Sequence, residues 1–290
     1  MGFGGSLVQP KTLGTIQKGG PVLNSRTTHC PKHINPSIGN IAPVRWPVDA
    51  DGSGGEGQRL FTIRVASSEG HRSSANILVE RMYAWRGYCT SSLGAEVGSS
   101  PGPGVGKENQ VTLLALDGGK TVGTVSVGLD GPGGLFVDEL FADELRALRE
   151  QGRALCEFTK LAVDDVTCSQ HVLASLFHVA YMHAHRLCGA DDVLIEVNPR
   201  HVRYYARMLG FMAIGPGRVN RRVDAPAVLM KLALSHAREQ IARLGGRSAL
   251  SKPQRSLYPC FFGPQEEAGI LNRLSGSMLP SGRIATATAA

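Results

Sequence analysis

No apolar run in this 290-residue chain approaches the ~18–20 residues that a membrane-spanning helix needs. The N-terminus M-G-F-G-G-S-L-V-Q-P-K-T lacks a basic stretch followed by an apolar core, which argues against a secretory signal. Its Met-Gly-x-x-x-Ser start fits the loose myristoylation pattern, a match that six common residues make by chance. Cysteine is scarce and scattered: Cys30, Cys89, Cys156, Cys168, Cys188 and Cys260 form no C-x-x-C pair and no regular framework. Free thiols in a reducing cytoplasm are the expectation. Cys30-x-x-His33 has no second ligand pair nearby, so it reads as a loop rather than a zinc site. His171, His178 and His185 recur every seven residues, whereas metal ligands on a helix sit three or four apart; core or surface histidines are expected. Aromatics make up only 6% of the chain, too sparse for the stacking platforms that bind single-stranded nucleic acid. G-P-G-V-G-K-E is not a phosphate loop, because Pro101 and Glu108 stand where Gly and Ser/Thr are required.

What is present is a 42% hydrophobic composition suited to a real core, and a net charge of +7 that favours an acidic partner. Residues 1–57 are rich in Gly, Pro, Ser, Thr and Asn without a sustained period, and are expected to be mostly disordered. Residues 58–245 have the length of one domain. R-L-F-T-I-R-V-A alternates like an opening strand, and 72–86 reads as a helix with Ile77, Leu78, Met82 and Trp85 on its buried stripe. S-S-L-G-A-E-V-G-S-S-P-G-P-G-V-G-K is read as a mobile loop. Q-V-T-L-L-A-L and T-V-G-T-V-S-V-G flank D-G-G-K, a hairpin. Then come a helix beginning at Asp138 and Glu139, a strand at 154–163, a long helix at 169–187, and a strand D-V-L-I-E-V. Two closing strands and a helix at 235–244 follow. This order predicts an α/β (α+β) mixed sheet with helices on both faces. The tail 246–290 holds S-L-Y-P-C-F-F-G-P-Q-E-E-A-G-I-L-N-R-L, where a short docked helix is expected near 264–275.

Chemistry is concentrated between Arg153 and Phe211. In a regular strand Glu157 and Lys160 point to opposite faces; one bulge between them turns both toward the same side, where an acid and a base meet a substrate together. The alternative is a structural ion pair at a sheet edge. Asn198 is a good N-cap ahead of Pro199, and the amides it frees can bind a phosphate or a pantetheine amide. Tyr204 and Tyr205 follow within reach, either able to protonate a departing thiolate or to anchor the helix. Arg200, Arg203 and Arg207 recur at helical spacing, with Arg218, Arg221 and Arg222 soon after. Asp138 and Glu139 stabilise a helix start or hold an amino group. Arg64 binds a carboxylate or snorkels outward.

N-P-R-H-V-R-Y-Y-A-R-M-L-G-F resembles the Asn…Tyr…Gly-Phe segment that closes the acyl-donor site of GNAT-type N-acyltransferases. G-R-A-L-C-E-F-T-K-L-A-V-D, L-F-H-V-A-Y-M-H-A, V-N-P-R-H and A-P-A-V-L-M-K-L together resemble the long-chain N-acyl amino acid synthases, relatives of the acyl-homoserine lactone synthases. The resemblance covers about 58–245. It implies a GNAT-like sheet of about seven strands with splayed central parallel strands. In the lactone synthases a Glu and an Arg three residues apart sit on the bulged strand; Glu157 and Lys160 match, with Lys for Arg. Catalytic roles are thus implied for Glu157, Lys160 and Tyr205; the candidate substrate contacts are Arg64, Asp138, Glu139, Phe158, Asn198 and Tyr204.

Two departures bear on the donor. V-T-C-S-Q-H-V-L-A-S has no glycine where acetyl-CoA users carry a pyrophosphate-cradling loop. An acyl carrier protein bearing acyl-phosphopantetheine as co-substrate, with no permanently bound cofactor or metal, suits that absence, and Arg200, Arg203 and Arg207 suit an acidic carrier. One extra residue between Tyr205 and Gly210 leaves open which tyrosine faces the cleft. The expected activity is transfer of an acyl group to a small-molecule amine in the cytoplasm; nucleic acid is not expected, and peripheral membrane contact stays open. The alternatives are a lactone synthase using S-adenosylmethionine, or a non-catalytic acyl-carrier or nucleic-acid binding module.

Overall fold

A two-residue turn sets the register of the first hairpin. Strands β3 (Gln110–Asp117) and β4 (Lys120–Leu129) are joined by Gly118 and Gly119, both with positive φ, as a primed turn matching the strands' twist demands. β2 (Gln58–Val65) pairs antiparallel with β3. The structure, a computed structural model, describes residues 40–47, 58–88, 109–164 and 169–276. The myristoylation pattern, Cys30 and His33, the loop at 91–107 and the residues Val166, Thr167 and Cys168 lie outside them.

The sheet continues through β5 (Leu155–Val163), β6 (Asp192–Val197) and β9 (Ala225–Ala233), with order β1-β2-β3-β4-β5-β6-β9-β7 and β8 (Arg218–Asn220) against β9. Among the described residues it has nine strands rather than seven. One of the additions, β1 (Asn40–Pro47), is an edge strand inside the segment whose composition suggests little order. Another arises because the loop after β7 (Met212–Ala213) forms a second short strand.

Every neighbouring pair is antiparallel except β5 and β6, which run parallel over Leu155–Glu157 and Asp192–Leu194 only. Parallel strands need a crossover, supplied here by helix α3 (Ser169–Tyr181) and its π-helical extension Met182–Leu187. Beyond Leu194, β6 stays paired to β9, out to Val197, while β5 stays paired to β4. The two strands therefore part, and a gap opens between them.

Helices α1 (Glu69–Trp85) and α2 (Asp138–Glu150) cover one face. Leu114 packs with Ala75 of α1, and Leu155, Leu194 and Leu229 pack with Phe141, Leu145 and Leu148 of α2. The buried stripe of α1 is Ala75, Leu78, Val79 and Met82, while Ile77 and Trp85 are 60% and 70% exposed. The expected stripe was thus out of phase at both ends, because Ala75 and Val79, not the larger Ile77 and Trp85, lie at the four-residue spacing of the sheet contact.

The other face carries α3, α4 (Pro199–Leu209) and α5 (Leu234–Leu244), packed over Val125, Val127, Cys156, Val193 and Met230. The chain then runs through α6 (Ser251–Gln254) to α7 (Pro264–Gly276). His178 of α3 sits between the rings of Phe261 and Phe262, and its Nδ1 accepts the Phe262 amide at 3.0 Å. Arg273 of α7 donates to the Ile41 carbonyl at 2.6 Å, so the C-terminal segment also holds the edge strand. Cys156 and Cys260 are free thiols, whereas Cys188 is disulfide-bonded, a departure from the expectation of free thiols throughout.

Candidate active site

A cavity of about 630 Å³ occupies the gap where β5 and β6 part. Its wall is built by the ends of both strands, by α1, α3 and α4, and by the loop before α2. Phe158, Leu173, Phe177, Ile195 and Met208 make one side apolar, while Tyr83, Glu196, Asn220 and Arg222 make the other end polar.

The bulge expected in β5 is present. Thr124 pairs with Ala162 and Ser126 with Thr159, so Lys160 and Leu161 together oppose Val125. Lys160 takes up the extra residue with a left-handed φ of 52°, a conformation that costs a non-glycine residue on the order of 1 kcal/mol. Lys160 lines the cavity together with Phe158, Thr159 and Leu161.

Glu157 precedes the bulge and is only 1% exposed. Its two oxygens accept the amides of Phe136 at 3.0 Å and Val137 at 3.1 Å, and Phe136 and Val137 themselves line the cavity. Gly128 on β4 makes room for it, since a Cβ there would stand 3.0 Å from Glu157 Oε1. Burial raises the Glu157 carboxyl to about 7, against the two amide hydrogen bonds and the charge of Arg222. Of the acid and the base of β5, Lys160 therefore lines the cavity, whereas Glu157 does not and stands behind the Phe136–Val137 wall.

Asn198 caps α4 by accepting the Arg200 amide at 3.2 Å, and it borders the cavity with both tyrosines. Tyr205 is held between Phe177 and Phe211, whereas Tyr204 is 39% exposed. Burial keeps the Tyr205 phenol protonated far above its ordinary range.

Other sequence-derived candidates are placed elsewhere. Asp138 is engaged by Arg149 at 2.6 Å and accepts the Leu135 amide at 2.7 Å; Asp130 binds the same arginine at 2.7 Å. This cluster braces the loop that carries Phe136. Glu139 is exposed, 3.6 Å from Arg222. Arg64 lies mid-strand in β2, on the α1 face beside Leu114, and its Nε has no partner among the described residues. Arg200 donates to the Tyr88 hydroxyl at 2.8 Å, while Arg203 and Arg207 are exposed on α4.

Sequence reasoning missed Tyr83, Glu196 and Asn220, and noted Arg222 only as part of a basic cluster. Glu196 sits in an otherwise apolar strand, and the one available signal was its place two residues before the strand-ending Asn198.

The FeeM family, described as N-acyl amino acid synthase FeeM, matches residues 74–233, more than half of the chain. The solved structure of FeeM, an N-acyl amino acid synthase from uncultured soil microbes, is 27% identical with a TM-score of 0.53, over 62% of this chain and 93% of that one. An acyl-CoA N-acyltransferase from Pseudomonas aeruginosa is 15% identical with a TM-score of 0.39, over 60% and 98%. A GNAT-family acetyltransferase from Streptococcus pneumoniae is 16% identical with a TM-score of 0.37, over 60% and 98%. No curated protein matches. The matched residues contain both parting strands, the bulge and the capped helix that closes the gap, and by that match this chain belongs to the N-acyl amino acid synthase FeeM family, an acyltransferase built on a mixed sheet.

Proposed function

We propose that this N-acyltransferase moves a long-chain acyl group from the phosphopantetheine arm of an acyl carrier protein to the amine of an amino acid. The observation that carries the reading is the cavity, apolar along one side and polar at one end, in the gap between β5 and β6. Past Glu157 the edge of β5 has lost β6 as a partner, so an extended pantetheine can bond to it as an added strand would. Phe158, Leu173, Phe177 and Met208 then enclose the acyl chain.

The reaction needs no covalent enzyme intermediate. The acceptor ammonium gives up one proton, its nitrogen bonds to the thioester carbonyl carbon, and the C–S bond breaks. A second proton leaves the nitrogen, the thiolate gains one, and one proton is released overall. Tyr205, protonated and at the cavity, is the donor to the thiolate; Lys160 at the bulge stabilises the oxyanion that forms in between. Glu157 fixes the wall against which the amine lies and is the relay for its proton, through water. Arg200, Arg203 and Arg207, on the helix that also brings His201, Tyr204, Tyr205 and Met208 to the cavity, would meet the acidic carrier.

The test is incubation of the purified protein with long-chain acyl carrier protein or acyl-CoA and single amino acids, read by product mass. N-acyl amino acid from the carrier-bound donor supports the reading. A lactone made from S-adenosylmethionine, a product formed only from acyl-CoA, or no product from a folded enzyme would overturn it.

A further inference from the structure

Glu196 is the last outward residue of β6 before the strand ends. Strand alternation puts it on the sheet face of Leu194 and Glu157, and its neighbour in β5 is already gone. Its side chain is 13% exposed and forms part of the cavity wall. Asn220 Nδ2 donates to one carboxylate oxygen, and Arg222 Nη2 lies 3.5 Å from the other. Arg222 belongs to the turn between β8 and β9. Its guanidinium carbon is 5.7 Å from the centre of the Phe136 ring, its Nε is 3.6 Å from Glu139, and its amide donates to Asn220 Oδ1 at 2.8 Å. An acid and a guanidinium therefore face one end of the cavity, each held in place by a polar neighbour.

We propose that Glu196 and Arg222 recognise the two charged ends of an α-amino acid acceptor, Glu196 taking the ammonium and Arg222 the carboxylate, so that amino acids are chosen over simple amines. The inference rests on the N-acyl transfer reading and names the two residues that select its acceptor. In an α-amino acid the nitrogen and the carboxylate carbon are roughly 2.5 Å apart, so both ends can address two protein groups that stand side by side. The pair's geometry suits a guest. A closed Arg–carboxylate contact runs at about 2.7–2.9 Å, whereas this one is open at 3.5 Å and can exchange one internal contact for two to a ligand. Arginine presents a planar fork to a carboxylate, which a simple amine does not have. Burial raises the Glu196 carboxyl above its ordinary range despite Asn220 and Arg222, so it takes a proton from an ammonium more readily than a surface glutamate does.

The experiment compares an α-amino acid with the corresponding amine lacking the carboxylate, on a fixed acyl carrier protein donor, in wild type and in Arg222→Met, Arg222→Lys, Glu196→Gln and Lys160→Met. Arg222→Met is expected to raise KM for the amino acid about tenfold or more, the loss of a hydrogen-bonded charge, and to raise it severalfold less for the amine, so that the preference for the amino acid shrinks. Arg222→Lys, which keeps the charge but not the fork, should recover part of that loss and carries the test if the Met variant does not fold. Glu196→Gln should lower kcat/KM for both acceptors. The inference is overturned if Arg222→Met and Arg222→Lys keep the wild-type preference, or if Lys160→Met erases it instead, which would put the carboxylate at the bulge. Wild type that acylates neither acceptor would overturn the acyl-transfer reading itself.

Discussion

The carboxylate of Glu157 bridges the consecutive amides of Phe136 and Val137, at 3.0 and 3.1 Å, and so ties the central strand β5 to the loop that walls the polar end of the cavity. Two acceptors serve two donors, and Gly128 clears the space they need. Glutamine keeps the shape but has one acceptor oxygen, and its amide group would face a backbone N–H. Glu157→Gln should therefore cost about 1–3 kcal/mol of stability, measured by denaturant unfolding at neutral pH, and lower turnover with it.

The same carboxyl makes stability depend on pH. Its folded value of about 7 lies above the ordinary 4.5, so the folded state holds the proton more tightly. The contribution is complete below about pH 4.5 and is lost as pH rises through 7, a change of roughly 3 kcal/mol. Buried histidines drive the opposite trend, so the quantity to measure is the difference between wild type and Glu157→Gln across pH 4–8. A flat difference would mean that Glu157 titrates normally and is better solvated than its burial implies.

Tyr205 and Tyr204 stand in edge-to-face contact with centroids 5.5 Å apart, yet only Tyr205 is locked between Phe177 and Phe211. If Tyr205 protonates the leaving thiolate, Tyr205→Phe should lower kcat by about 10²-fold or more with little change in donor KM, as expected for loss of a general acid. Tyr204→Phe should change kcat less than about threefold. Equal effects of the two substitutions would mean that neither hydroxyl is a specific proton donor.

The difference between these neighbours explains what was legible in the sequence. Period and punctuation are local, so the D-G-G-K turn, the Asn198 cap and the order of strands and helices were readable from residues a few positions apart. The parallel pair followed from the long helix between two apolar runs. The phase of α1 was not readable, because Ile77 and Trp85 are as apolar as the residues actually buried, and only the facing sheet decides between them. Asp138 looked like a ligand for an amine because Arg149, its partner, is eleven residues away on the far end of the same helix. Glu196 and Arg222 are 26 positions apart and meet only once β6 and β9 have paired, so no spacing rule would join them.

His178 offers a handle on the C-terminal segment. It is buried between Phe261 and Phe262, accepts the Phe262 amide, and has Glu267 3.7 Å from Nε2 and Arg186 on the same side through Glu267. Burial lowers its pKa, Glu267 opposing that only in part, so it folds as the neutral ring. A base with a depressed folded value stabilises the fold above its unfolded value near 6.5, and that stability is lost as pH falls below it. Hydrogen exchange at residues 257–274, taken relative to the intrinsic amide exchange rate at each pH, should therefore quicken between pH 6.5 and 5. His178→Ala, which removes the stacking and the amide acceptor together, should quicken it at every pH. Unchanged exchange in the variant would show that Tyr258 and Arg273 alone hold the segment.

The arginines of α4 separate the donor protein from its prosthetic arm. Arg203 and Arg207 are exposed one helical turn apart, whereas Arg200 is engaged by Tyr88, so the first two can be reversed in charge with little cost to the fold. A carrier protein senses the surface potential over roughly a Debye length, about 8 Å at physiological salt, while a free acyl-pantetheine in the cavity does not depend on it. Arg203→Glu with Arg207→Glu should therefore raise KM for acyl carrier protein at least tenfold, by an amount that shrinks as salt is added, because steering and encounter are the steps that weaken. The same variant should process acyl-pantetheine at the wild-type rate. Equal loss with both donors would move the role of these arginines from docking to the cavity itself, and no loss with either would place the carrier on another face.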